Sequence, residues 1–308
     1  MNRLTLFFLF SFSLLYANNL IKPIPDDFTT VTDKAILGKK LFLDPRLSHD
    51  NSISCESCHD LNYGGADSVK FSFGVNGRIG TINSPTVFNS VFNIAQFWDG
   101  HAKDLKEQVI GPITNHIEMA SNEKEILTKL SKDPYYVKTF QQLYKDGITL
   151  ENISDAIAAF EKRLITPNAK FDLFLKGDTS ALTRNEKDGY TLFKNLGCIS
   201  CHNGVNIGSN MFQKFGIFAE HNTSDANLGR YNVTHDERDK YYFKVPTLRN
   251  IEKTAPYFHD GSAATLEDAV KKMGYYQLGQ KLSDDEVKKL TQFLKTLNGD
   301  TPNIVLKE

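Results

Sequence analysis

The sequence predicts an all-α protein folded in two domains. Three observations carry that expectation. Apolar residues recur at helical spacing between recognisable caps, and no strand alternation competes with them. Two short stretches, Cys55-Glu56-Ser57-Cys58-His59 and Cys198-Ile199-Ser200-Cys201-His202, share the pattern Cys-x-x-Cys-His. They lie 143 positions apart in a chain of 308 residues, room for a domain around each.

Cys-x-x-Cys-His is the attachment signature of a c-type haem. The cysteines form thioethers to the porphyrin and the histidine ligates iron. Competing readings are a zinc site and a pair of disulfides. A closed four-cysteine zinc site needs no histidine after each pair, and disulfides do not need the spacing twice. Cys55, Cys58, Cys198 and Cys201 are all the cysteines the chain has. They are assigned to two covalent haems, with His59 and His202 as iron ligands.

Arg3 followed by the apolar run from Leu4 to Tyr16 and the small residue Ala17 reads as a signal peptide, residues 1–17, cleaved on export to the periplasm. The competing reading is an uncleaved anchor, for which the run is short. The formal net charge is -1, so the composition carries no nucleic-acid or membrane-surface signal.

Taken in order, the first helix is expected over 32–43, with Thr32 or Asp33 as cap and Asp44-Pro45 as stop. A glycine-rich loop over 60–84 follows the first haem motif and is expected to fold over the porphyrin. Trp98, the only tryptophan, reads by composition alone as a core residue. Gln108 to Met119 carries a helix end, a Gly-Pro break and Glu118 in an apolar setting. Three helices follow: one after the Asn122/Glu125 cap, one from Pro134 and one after Thr149. Thr166-Pro167-Asn168 is the expected junction, dividing the mature chain into domains 18–166 and 167–308. Thr183-x-x-Glu186 opens the helix that leads to the second motif, and residues 203–242 look irregular. A helix from Thr265 contains Met273, which by sequence alone reads as a packing residue. Ser283-x-x-Glu286 opens the last helix, expected to run towards Gly299.

The ordered series CxxCH, NSPTVFN, QFWDG, QVIGPxxxxxEM, CxxCH, PTLRN and TAPYFHDG resembles the bacterial di-haem cytochrome c peroxidases, a family that also includes MauG. The resemblance covers about 37–294. It implies two cytochrome-c-like domains, each around one covalently bound haem. The His59 haem would be the peroxidatic site, and the haem of His202 and Met273 the electron-entry site. Trp98 would relay electrons between them. Gln108 and Glu118 would be the distal catalytic residues, with Glu118 as general acid–base on hydrogen peroxide. Asn83 and the carbonyls of Thr254 and Pro256 would hold an inter-domain calcium ion. A small c-type cytochrome is the implied electron donor and a homodimer the implied assembly.

Val75 stands where many members of the family carry a loop histidine that caps the peroxidatic iron, so an open haem is expected without prior reduction. His49, His101 and His116 are conceivable substitute ligands. His101 also stands where the family usually has arginine. Two other functions stay open on sequence grounds: a non-catalytic di-haem electron carrier and a MauG-like oxidase that modifies a protein. Methionine rather than tyrosine at 273 favours the peroxidase branch.

Overall fold

The computed structural model describes residues 20–25, 30–221 and 227–306. The expected signal peptide lies outside them. Eleven helices are seen among these residues: α1 Asp33–Phe42, α2 Leu105–Thr114, α3 Glu123–Leu130, α4 Pro134–Leu143, α5 Leu150–Glu161, α6 Lys170–Leu175, α7 Arg184–Asn195, α8 Tyr231–Thr234, α9 Leu266–Leu278, α10 Asp284–Lys295 and α11 Asn303–Leu306. The caps do what their chemistry allows. Thr32, Asn122, Thr149 and Thr265 accept from the third backbone N–H beyond them, and Thr183/Glu186 and Ser283/Glu286 close full capping boxes.

Three details depart from the sequence expectation. The Gly-Pro break is absent, and α2 runs through Gly111-Pro112 to Thr114. Proline removes the bond to the carbonyl of Gln108, yet α2 stays anchored by the Asp104 cap before it and by buried Leu105, Val109 and Ile113 along its length. The irregular stretch contains a two-stranded antiparallel ribbon, β1 Phe212–Lys214 and β2 Tyr242–Lys244, with Phe212 opposite Lys244. The last long helix stops at Lys295, and Leu297 packs beyond it in the core.

Buried apolar side chains form two clusters. One is built largely from α1, α2, α4 and α5, with Leu41, Phe42, Tyr136, Phe140, Ile157 and Phe160 at its centre. The other is built from α6, α7, α9 and α10 around Phe171, Phe193, Leu290 and Phe293. The two ends of the described residues cross over: Ile21 packs in the second cluster and Ile304 in the first. Each cluster contains a helix crossing closed by a glycine. A Cβ on Gly38 of α1 would lie 1.8 Å from the Ala156 carbonyl oxygen of α5, and one on Gly189 of α7 would lie 2.1 Å from that of Lys289 on α10.

The two halves repeat. Pro85 and Pro246, Asn89 and Asn250, Trp98 and His259, and Asp104 and Thr265 are each 161 positions apart. Asn89 and Asn250 are both left-handed, at φ 61° and 59°, and each starts a short 3₁₀ turn. Their amides both donate to Thr166 Oγ1 at 2.8 Å. Asn83 N–H donates to the His259 carbonyl at 2.8 Å, and Lys244 N–H donates to the Trp98 carbonyl at 2.7 Å. The repeat therefore has reciprocal bonds across the junction.

Candidate functional site

Each Cys-x-x-Cys-His motif sits on a tight turn. Cys55–Ser57 is a 3₁₀ turn capped by Ser54 with Ser57, and His59 N–H donates to the Cys55 carbonyl at 3.0 Å. Cys198–Ser200 is the matching turn, entered through left-handed Gly197, with His202 N–H on the Cys198 carbonyl at 3.0 Å. Both cysteines and the histidine of each motif are thus held on one short segment.

The histidines fit an iron. His59 Nδ1 lies 3.3 Å from the Gly65 carbonyl oxygen. Facing an acceptor, it can only donate, which leaves the Nε2 lone pair for a metal. Burial holds the His59 pKa below its ordinary value, against the carbonyls of Gly65 and Pro85 and the charge of Asp67. Burial pushes His202 down to about 4, with the carbonyls of Ile207 and Pro246 acting the other way. Its buried Nδ1 reaches no partner at hydrogen-bond geometry. Neutral imidazole is the form that binds iron.

The glycine-rich loop closes on the segment that carries Glu118. Val75 is fully buried, and its N–H donates to the Glu118 carbonyl at 2.8 Å. A Cβ on Gly74 would stand 1.9 Å from the Ile117 carbonyl oxygen, so only glycine permits this approach. Glu118 Oε1 accepts from Asn115 Nδ2 at 2.7 Å. Burial raises the Glu118 pKa, against the Asn115 bond and the His101 charge. Gln108 lies half-buried on α2. The histidines considered as substitute ligands have other partners. His49 Nδ1 is 3.1 Å from Glu125. His101 stacks on Phe97 at 3.9 Å and its Nδ1 is 2.6 Å from Asp99. His116 is exposed and its carbonyl accepts from Arg78.

The repeat makes the two halves unequal at one position. Met273, half-buried on α9, is 161 positions after Pro112 on α2. Where the second half presents a thioether, the first presents a ring with no donor atom.

The junction gathers the remaining candidates. Trp98 Nε1 donates to the Asn83 carbonyl at 2.8 Å, and its ring meets His259 edge-on at 6.1 Å. Asn83 is buried, and its amide N–H groups point to the carbonyls of Val69 and Lys70. The carbonyls of Thr254 and Pro256 accept no hydrogen bond among the described residues.

Comparison with known proteins agrees with this geometry. Residues 32–180 match the family model for di-haem cytochrome c peroxidase, and residues 186–298 match that for cytochrome c. The chain is 50% identical to a cytochrome c551 peroxidase of Nitrosomonas europaea, over 96% of this chain and 89% of that one. The chain belongs to the di-haem cytochrome c peroxidase family. That membership makes it a haem-dependent oxidoreductase of the peroxidase class. It is also 50% identical to the cytochrome c peroxidase Ccp of Escherichia coli, over 92% of this chain and 62% of that longer one. A solved MauG-like protein associated with microbial copper homeostasis superposes with a TM-score of 0.79 at 27% identity, covering 91% of this chain and 93% of that one.

Within this di-haem peroxidase, sequence reasoning passed over Asn115, took Gly74 only as one of the loop glycines, read Pro112 only as a helix break, and passed over Lys244. The signal for the last two was present. Asn83-Ser84-Pro85-Thr86-Val87-Phe88-Asn89 and Lys244-Val245-Pro246-Thr247-Leu248-Arg249-Asn250 align at the 161 spacing, which pairs Asn83 with Lys244 and Pro112 with Met273.

Proposed function

We propose that the chain is a periplasmic enzyme that reduces hydrogen peroxide to water with electrons from a small reduced c-type cytochrome. The observation that carries this reading is the inequality of the two halves. His202 and Met273 would hold one haem iron. His59 would hold the other, with no ligating side chain at Val75 or at Pro112. When bound, the haems supply one-electron redox chemistry and the iron at which peroxide is reduced.

The chain's own residues handle the protons and the positioning. Glu118 is buried enough to hold a raised pKa, so its carboxylate accepts a proton from peroxide and returns it to the departing oxygen. Asn115 fixes its orientation through Oε1. Gln108 supplies an amide for hydrogen bonding to peroxide. Trp98, bonded to Asn83 on one side and Lys244 on the other, is the relay between the halves. Asn83 Oδ1 and the free carbonyls of Thr254 and Pro256 form an oxygen donor set suited to calcium. The active form is read as a homodimer.

Peroxide turnover with a reduced cytochrome c, compared with and without prior reduction of the enzyme, tests this reading. Equal rates are expected. The fully oxidised enzyme should show a high-spin signal from one haem. A purely low-spin, doubly ligated spectrum at both haems would refute the open site.

A further inference from the structure

Lys244 is a buried cation that the proposed chemistry leaves unused. It is 6% exposed, and among the described residues its ammonium makes no hydrogen bond or ion pair. Burial pushes its pKa down to about 8, and no acid among the described residues acts the other way. The acids near this junction are engaged elsewhere. Asp99 faces His101 at 2.6 Å, and Asp260 faces His221 at 2.8 Å. An ammonium so little exposed is costly to keep without a counter-charge, and an anion supplied from outside the polypeptide would offset that cost.

The repeat shows where that anion belongs. Lys244 is the counterpart of Asn83, and each donates its backbone N–H to the other half's ring-bearing residue: Asn83 to His259, Lys244 to Trp98. On the Asn83 side the donor set is oxygen and suits a divalent cation. On the Lys244 side the chain supplies the positive charge itself. Its chain neighbours pack against buried histidines: Phe243 stacks on His259 at 4.0 Å, and the Pro246 carbonyl lies near His202, which would ligate an iron.

We propose that Lys244 is a built-in counter-cation for a propionate carboxylate of a bound haem at the domain junction, the counterpart of the calcium ion recruited on the Asn83 side. This rests on the reading of two covalent haems. A fixed positive charge in a poorly screened setting favours the reduced iron, which carries one positive charge fewer. Lys244 therefore raises the midpoint of one haem, and it is a positioning and tuning residue rather than a catalytic one.

The test uses the calcium-loaded holoprotein. Pyridine haemochrome assay first establishes two haems per chain in wild type, Lys244→Gln and Lys244→Arg. Spectroelectrochemical titration should then show one midpoint lowered in Lys244→Gln and restored towards wild type in Lys244→Arg. Unchanged midpoints in Lys244→Gln with both haems bound would overturn the proposal. If Lys244→Gln does not retain both haems, the resonance Raman propionate bending band carries the test. It should move between wild type and Lys244→Arg, and an unmoved band overturns the assignment. A wild-type chain without haem would instead refute the haem reading itself.

Discussion

Glu118 works against two opposing influences. Burial raises its pKa, while the Asn115 amide and the His101 charge pull it back. Replacing Glu118 by Gln should lower peroxide turnover by about a hundredfold or more, the usual loss for a general acid–base, with both haem spectra unchanged. A carboxylate with a raised pKa loses its basic form as pH falls through that value. The acid limb of the rate should therefore lie above the ordinary carboxylate range. His101→Gln removes a side chain whose charge, when protonated, favours the ionised form of Glu118, so a pH–rate profile should show that limb displaced to higher pH. A displacement to lower pH would show that His101 does not act on Glu118 by its charge.

At the scale of elements, the glycine crossings set how closely the helices approach. Gly189 of α7 lies against the Lys289 carbonyl and the Phe293 Cβ of α10, with a methyl group clashing at 2.1 Å and 2.9 Å. Backbone cannot yield as a flexible side chain can, so Gly189→Ala should destabilise the protein by about 1–3 kcal/mol in thermal unfolding. The same reasoning explains why α1 carries Gly38 against α5. It also explains the loop over Glu118, where Gly74 admits a backbone contact that any side chain would block. Periodicity locates helices, but it does not show which glycine is a contact and which is a turn. That distinction needs the partner backbone.

For the whole molecule, Thr166 is the point where the halves are tied. Its hydroxyl accepts from Asn89 and from Asn250, and its N–H donates to Asn89 Oδ1. Thr166→Val would leave two buried amides short of an acceptor. It should cost about 1–3 kcal/mol per unsatisfied group, read as a lower unfolding midpoint. What the sequence determined by itself was chemical and local. It set the two Cys-x-x-Cys-His motifs, the capped helices, the order of the family motifs and the absence of a ligating side chain at Val75, because motif spacing, capping and ligation depend on residue type over a few positions. Only the tertiary structure decided the rest. It carried α2 through Pro112, brought Val75 onto Glu118, oriented that carboxylate with Asn115, and left the Lys244 ammonium with no hydrogen bond or ion pair among the described residues. These facts depend on which distant backbones meet and which polar groups remain unpaired once they have met, and no local pattern records that.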